Sequence, residues 1–180
     1  MLIDHDKPLS FEEVLNVARK DEKIELSPSS IKAIQSSHAR VEQILGKKSP
    51  VYGINTGYGI FADKTIPENE IRRLNHNLII SHAVGSGAEL DRDIVRAAML
   101  VRLNTLSRGY SGVSFELIQT LQEMLNKDVL PVIPSKGSLG SSGDLCLLSH
   151  LALVFTRDDE DRDDESGFAF HAGQRLSGKK

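Results

Sequence analysis

Residues 91–127 read DRDIVRAAMLVRLNTLSRGYSGVSFELIQTLQEMLNK. Asp91 and Asp93 stand where a helix opens, and Val95, Ala98, Met99, Val101 and Leu103 then follow at helical spacing. A break containing Gly109 and Gly112 separates this segment from a second one. There Ser114 precedes Leu117, Ile118, Leu121 and Leu125, all on one side of a helix that runs to about Lys127. Two adjacent helices with apolar faces predict a helix-on-helix core.

Working outward, Ser10-Phe11-Glu12-Glu13 has the reciprocal capping pattern of a helix start, so the spacing predicts a helix over 10–20. Pro28 in a serine-rich lead, followed by Ile31, Ile34, Val41, Ile44 and Leu45, predicts another over about 29–46. From Gly46 to Pro67 the periodicity stops and glycine takes over. It returns at Glu68 and runs through Ile71, Leu74, Leu78 and Ile79. Val84-Gly85-Ser86-Gly87 then offers glycines for a left-handed stop. Pro131 and Pro134 interrupt, the small-residue run Lys136–Asp144 follows, and an apolar stretch extends from Leu145 to Phe155. The expected fold class is mainly α, with irregular Gly-rich loops between helices. Arg157–Glu165 holds seven acids and two arginines. The expected organisation is therefore a helical domain over 1–156 and an acidic, flexible tail over 157–180.

Composition removes several function classes. With 22 Lys+Arg against 25 Asp+Glu, the net charge of the 180 residues is −3. Basic residues are scattered, tryptophan is absent and aromatics are 5% of the chain, which leaves neither a phosphate-neutralising stripe nor a stacking platform. No nucleic-acid partner is expected. No apolar stretch has the length of a membrane span and no signal peptide is visible, so the expectation is a cytoplasmic protein without a membrane partner. The single Cys146 excludes an internal disulfide and a four-cysteine metal site, and no metal is expected.

The loop 136–144 fits no common nucleotide or nucleophile motif. A Walker loop needs Gly-Lys-Ser/Thr at its end, a dinucleotide fingerprint needs a preceding strand, and a nucleophile elbow needs Gly-x-Ser-x-Gly. What stands there is Gly140-Ser141-Ser142-Gly143-Asp144-Leu145. These residues are small enough for the Gly143 amide nitrogen to approach the Ser141 carbonyl carbon, a geometry that permits backbone cyclisation.

In this run the sequence resembles the histidine and aromatic amino-acid ammonia-lyases. Their Ala-Ser-Gly-Asp-Leu motif becomes a 4-methylidene-imidazol-5-one (MIO) ring. Four more segments resemble the family in the family's order. They are Tyr52-Gly53-Ile54-Asn55-Thr56-Gly57-Tyr58-Gly59, Ser81-His82-Ala83-Val84-Gly85, Asn104 through Gly112, and Lys136-Gly137-Ser138-Leu139-Gly140. The resemblance spans about residues 40–155 and implies the N-terminal portion of the aromatic amino-acid lyase fold.

It also implies roles. Ser141, Ser142 and Gly143 form the MIO cofactor, with Ser142 supplying the hydroxyl lost as water. Tyr52 is the base that removes the substrate's β-proton. A free tyrosine titrates near 10, so holding a phenolate at pH 7 costs roughly 4 kcal/mol unless neighbours stabilise it. His82 in the Ser-His pair reads the substrate side chain and points to L-histidine, converted to urocanate and ammonia. Asn55 and Gly59 belong to the substrate-binding group. Asp144 and Leu145 support the ring, with Asp144 also suited to a helix N-terminus. The family assembles its sites from several subunits of a homotetramer, so a homo-oligomer is implied.

The sequence departs from the family pattern at Ser141, where alanine is usual, and at Cys146-Leu147, where Ala-Pro is typical. The resemblance covers well under half of a family subunit. Two other readings therefore stand beside the histidine lyase. One is a tyrosine or phenylalanine ammonia-lyase or aminomutase; the other is a non-catalytic, truncated helical module.

Overall fold

The structure is a computed structural model, and it describes residues 1–47, 49–140, 145–156 and 167–177. Six helices among these residues make the chain mainly α: α1 (Phe11–Lys20), α2 (Pro28–Leu45), α3 (Glu68–His82), α4 (Arg92–Ser107), α5 (Phe115–Lys127) and α6 (Leu145–Leu153). Their starts follow the local chemistry. The Ser10 hydroxyl accepts from the Glu13 amide at 3.2 Å while Glu13 Oε2 accepts from the Ser10 amide at 2.8 Å, closing the capping box. Ser27 caps α2 ahead of Pro28, and Ser114 caps α5.

Helix α4 is the centre of the core. Its Met99, Leu100 and Leu103 are fully buried against Ile118, Leu121 and Leu125 of α5, with Val17 of α1 and Ile34 of α2 closing the sides. Each such side chain stabilises the fold by about 1.5–3 kcal/mol through removal of apolar surface from water. Arg96, 1% exposed, lies in the same helix. Its guanidinium donates to the carbonyls of Val17 at 2.9 Å and Leu125 at 3.0 Å, both in the last turns of α1 and α5, where carbonyls run out of i+4 amide donors. Asp128 Oδ1 lies 2.8 Å from Arg96, and Arg92 joins Asp21 to Asp128, both at 2.7 Å. Asp21 and Asp128 end α1 and α5 in the left-handed region, at φ 57° and 58°.

The turn between α4 and α5 is pressed onto α2. Gly112 donates its amide to Ser37 Oγ at 3.0 Å, and the His38 ring donates from Nδ1 to the Gly112 carbonyl at 2.9 Å. A Cβ at Gly112 would stand 2.4 Å from Val41 Cγ2, and its φ of +69° is itself costly for any other residue. This close approach is the physical content of the Asn104–Gly112 segment.

Short strands that periodicity did not reveal tie the helices together. β1 (Leu2–Ile3) pairs parallel with β2 (Glu25–Leu26), and β3 (Ser86–Glu89) pairs antiparallel with β5 (Pro134–Lys136). β4 (Leu130–Pro131), β6 (Phe168–His171) and β7 (Gln174–Ser177) form an antiparallel sheet in the order β4-β6-β7.

Two expectations are corrected here. The residues after α3 do not end it with a left-handed glycine: Ala83 is the cap at φ −79°, and Ser86–Glu89 enter a strand instead. The stretch 157–180 is not a tail throughout. Phe168–Ser177 is a hairpin turned by Ala172-Gly173, both at positive φ, and Ala169 is buried where β6 meets β4. Its pairing partner lies far back in the chain, which is why local composition concealed it. No helix among the described residues is long and apolar enough to cross a membrane.

Candidate active site

The segment from Val51 to Ile66 carries Tyr52 and folds back on itself. Gly57 donates to the Lys64 carbonyl, Ile66 donates to the Asn55 carbonyl, and Thr56 bridges Thr65. Asn55 braces it from within: its Oδ1 accepts from the Val51 amide at 2.7 Å and its Nδ2 donates to the Ser49 carbonyl at 3.0 Å. Gly57 is required by proximity, since a Cβ there would lie 2.6 Å from Phe61 Cβ. Tyr52 is thereby held at the rim, 62% exposed.

Tyr58 meets Tyr52 edge-on, with ring centroids 6.1 Å apart and planes at 74°. Its hydroxyl donates to Asn75 Oδ1 of α3 at 2.8 Å, fastening the loop to that helix. Burial, and then charge on Tyr52, push the Tyr58 phenol above its ordinary value.

At the other end of α3, the His82 ring donates from Nδ1 to the Leu78 carbonyl at 2.8 Å, and Ser81 Oγ donates to the same carbonyl at 2.9 Å. With the proton on Nδ1, the neutral ring keeps a free lone pair on Nε2.

Tyr52, Tyr58, Gly59 and His82 line one groove of about 900 Å³, walled by aliphatic side chains of α3, α4, α5 and α6 and reached by Arg102. Leu145, the first residue of α6, is on the same wall. Among the predicted site residues, the structure thus brings together Tyr52, His82, Gly59 and Leu145. Asn55 is buried in its loop and does not line the groove. Ser141, Ser142, Gly143 and Asp144 lie outside the described residues. A Cβ on Gly137 would lie 2.6 Å from Cys146 Sγ, so the chain before and after residues 138–145 is in contact.

Sequence reasoning missed Tyr58, Asn75 and Arg102. Tyr58 stood inside the Gly-rich segment, and a second tyrosine six residues after Tyr52 was the signal for it. Asn75 and Arg102 sit on helices with nothing local to single them out.

A family model described as aromatic amino acid lyase matches residues 9–180. Curated histidine ammonia-lyases from Myxococcus xanthus and Alkaliphilus oremlandii are 44% and 43% identical over all 180 residues of this chain, which cover 34% of each relative. Among solved structures, the phenylalanine aminomutase of Pantoea agglomerans superposes with a TM-score of 0.88 at 32% identity, over 99% of this chain and 33% of that one. A histidine ammonia-lyase from Trypanosoma cruzi gives 0.83 at 28% identity, over 99% of this chain and 34% of that one. The chain spans about a third of the length of the curated relatives it matches. A match that runs through four ordered segments, the grooved helical fold and the closing hairpin leaves one assignment: the chain belongs to the aromatic amino acid lyase family.

Proposed function

We propose that this chain supplies Tyr52, His82 and the ring-forming tripeptide Ser141-Ser142-Gly143 to a histidine ammonia-lyase site that converts L-histidine to urocanate and ammonia. The observation that carries the reading is that Tyr52 and His82 share one groove with Leu145, the first residue of α6, which stands two positions after the tripeptide in the chain. The contact of Gly137 with Cys146 supports the reading, because it holds the two ends of the chain around the tripeptide close together. When formed, the MIO group supplies the electrophile that ordinary side chains lack.

The chain's own residues supply the rest. Tyr52 takes the proton from the substrate's Cβ, and the electron pair released forms the Cα–Cβ double bond as the Cα–N bond breaks and ammonia leaves. Tyr58 packs edge-on with Tyr52 and donates its hydroxyl away, to Asn75, so that it does not compete for the same proton. His82 offers a lone-pair nitrogen to the N–H of the substrate imidazole. Asn55 acts on Tyr52 through the loop it braces, and Gly59 leaves the rim free of a side chain. Asp144 acts at the N-terminus of α6. The family's homo-oligomer is part of this proposal, as is a cytoplasmic location.

Two measurements on the full chain test it. Peptide mapping should find the fragment containing residues 141–143 lighter by two waters, and turnover should rank histidine above tyrosine and phenylalanine. Preference for tyrosine or phenylalanine, or β-amino acid products, would move the assignment to a sibling lyase or aminomutase. An unmodified tripeptide together with no turnover would leave the non-catalytic helical module.

A further inference from the structure

His150 of α6 has no part in the chemistry above, yet it stands where three separate segments meet. The Gly85 amide donates to its Nε2 at 2.9 Å. A backbone N–H only donates, so Nε2 carries the lone pair, the proton is on Nδ1 and the ring is neutral. Burial supports this state by pushing His150 below the ordinary histidine value.

The space around this bond is filled. A Cβ at Gly85 would stand 2.9 Å from His150 Nε2, 3.1 Å from the Lys136 carbonyl oxygen and 3.1 Å from Pro134 Cγ. A Cβ at Gly137 would stand 3.1 Å from the Gly85 Cα and 2.6 Å from Cys146 Sγ. The turn that follows His82, the end of β5 and the first turn of α6 are thus packed at one point, with the imidazole accepting from the amide at its centre. Both ends of the segment 138–145 pass through that point.

We propose that His150 is a positioning residue: by accepting the Gly85 amide it locks the neck of the segment carrying Ser141-Ser142-Gly143 to the turn behind His82. This rests on the lyase reading for its consequence, since cyclisation brings two backbone atoms together and is favoured when both ends of the segment are held in place. The lock itself rests on geometry alone. Glutamine at this position retains an acceptor near Nε2, whereas phenylalanine retains the volume and removes the acceptor.

The test uses the full chain and two readouts, amide exchange at Gly85 and the mass of the peptide containing residues 141–143. His150→Phe should speed Gly85 exchange roughly fivefold, the scale of one lost hydrogen bond, and reduce ring conversion by a similar factor. His150→Gln should restore both. Unchanged exchange at Gly85 in a folded His150→Phe overturns the lock, and faster exchange with unchanged ring conversion overturns its positioning role. A wild-type chain without the ring removes the lyase reading and the positioning role with it, while the exchange readout still decides the lock. Should His150→Phe not fold, nitrogen NMR of the wild-type imidazole decides: a proton on Nε2 refutes the proposal, and one on Nδ1 supports it.

Discussion

The Tyr58 hydroxyl is committed to Asn75 and its ring to a perpendicular contact with Tyr52, so the two phenols of this loop have different work. Tyr52→Phe removes the proposed base and should lower urocanate formation about 10²- to 10⁴-fold, the usual range for a lost general base. Tyr58→Phe removes only the bond to α3. Its expected effect is a loss of about 0.5–1.5 kcal/mol in urea unfolding, with a far smaller change in turnover. Comparable losses of turnover in the two variants would mean that the roles are shared.

Among the elements, α4 holds the ends of α1 and α5 through Arg96. Arg96→Met keeps the stem but removes the buried donor of the Val17 and Leu125 carbonyls, while Asp128 keeps its pairing with Arg92. The expected cost is about 1–3 kcal/mol, read from chemical denaturation. The start of α1 responds to pH. The Lys7 ammonium, then the Ser10 amide and hydroxyl, hold the Glu13 carboxyl at about 2 against an ordinary 4.5. A depressed folded-state value means the stabilisation is complete above 4.5 and drains away as pH falls towards 2. Asp4, also held at about 2, chiefly by the Ser29 hydroxyl, acts in the same direction. The melting temperature should therefore decline through that window, and Glu13→Gln should flatten the decline while keeping the capping box.

Over the whole molecule, the hairpin β6-β7 closes on β4 at Leu130 and Pro131, directly after α5, whose Ile118, Leu121, Met124 and Leu125 belong to the core. Ala169, 6% exposed, is the contact residue. Ala169→Asp buries an unpaired charge there and should release the hairpin. Amides of Phe170 and His171 should then exchange rapidly, while those of Met99 and Leu121 stay protected. Uniform loss of protection would instead show that the hairpin and the helical core unfold as one unit.

What could be read before any coordinates was local or motif-borne. The helices announced themselves because apolar side chains three and four apart share a face, and Ser10, Pro28 in its serine-rich lead and Ser114 marked starts because capping acts within three residues. Tyr52, His82 and the 141–143 tripeptide stood out as family segments in order. Folding supplied the encounters between distant positions: Arg96 with the ends of two other helices, β4 with a hairpin near the end of the chain, and His150 with Gly85 beside the Gly137–Cys146 contact. No periodicity encodes such meetings, because they depend on how packed helices and strands are placed relative to one another and not on spacing along the backbone.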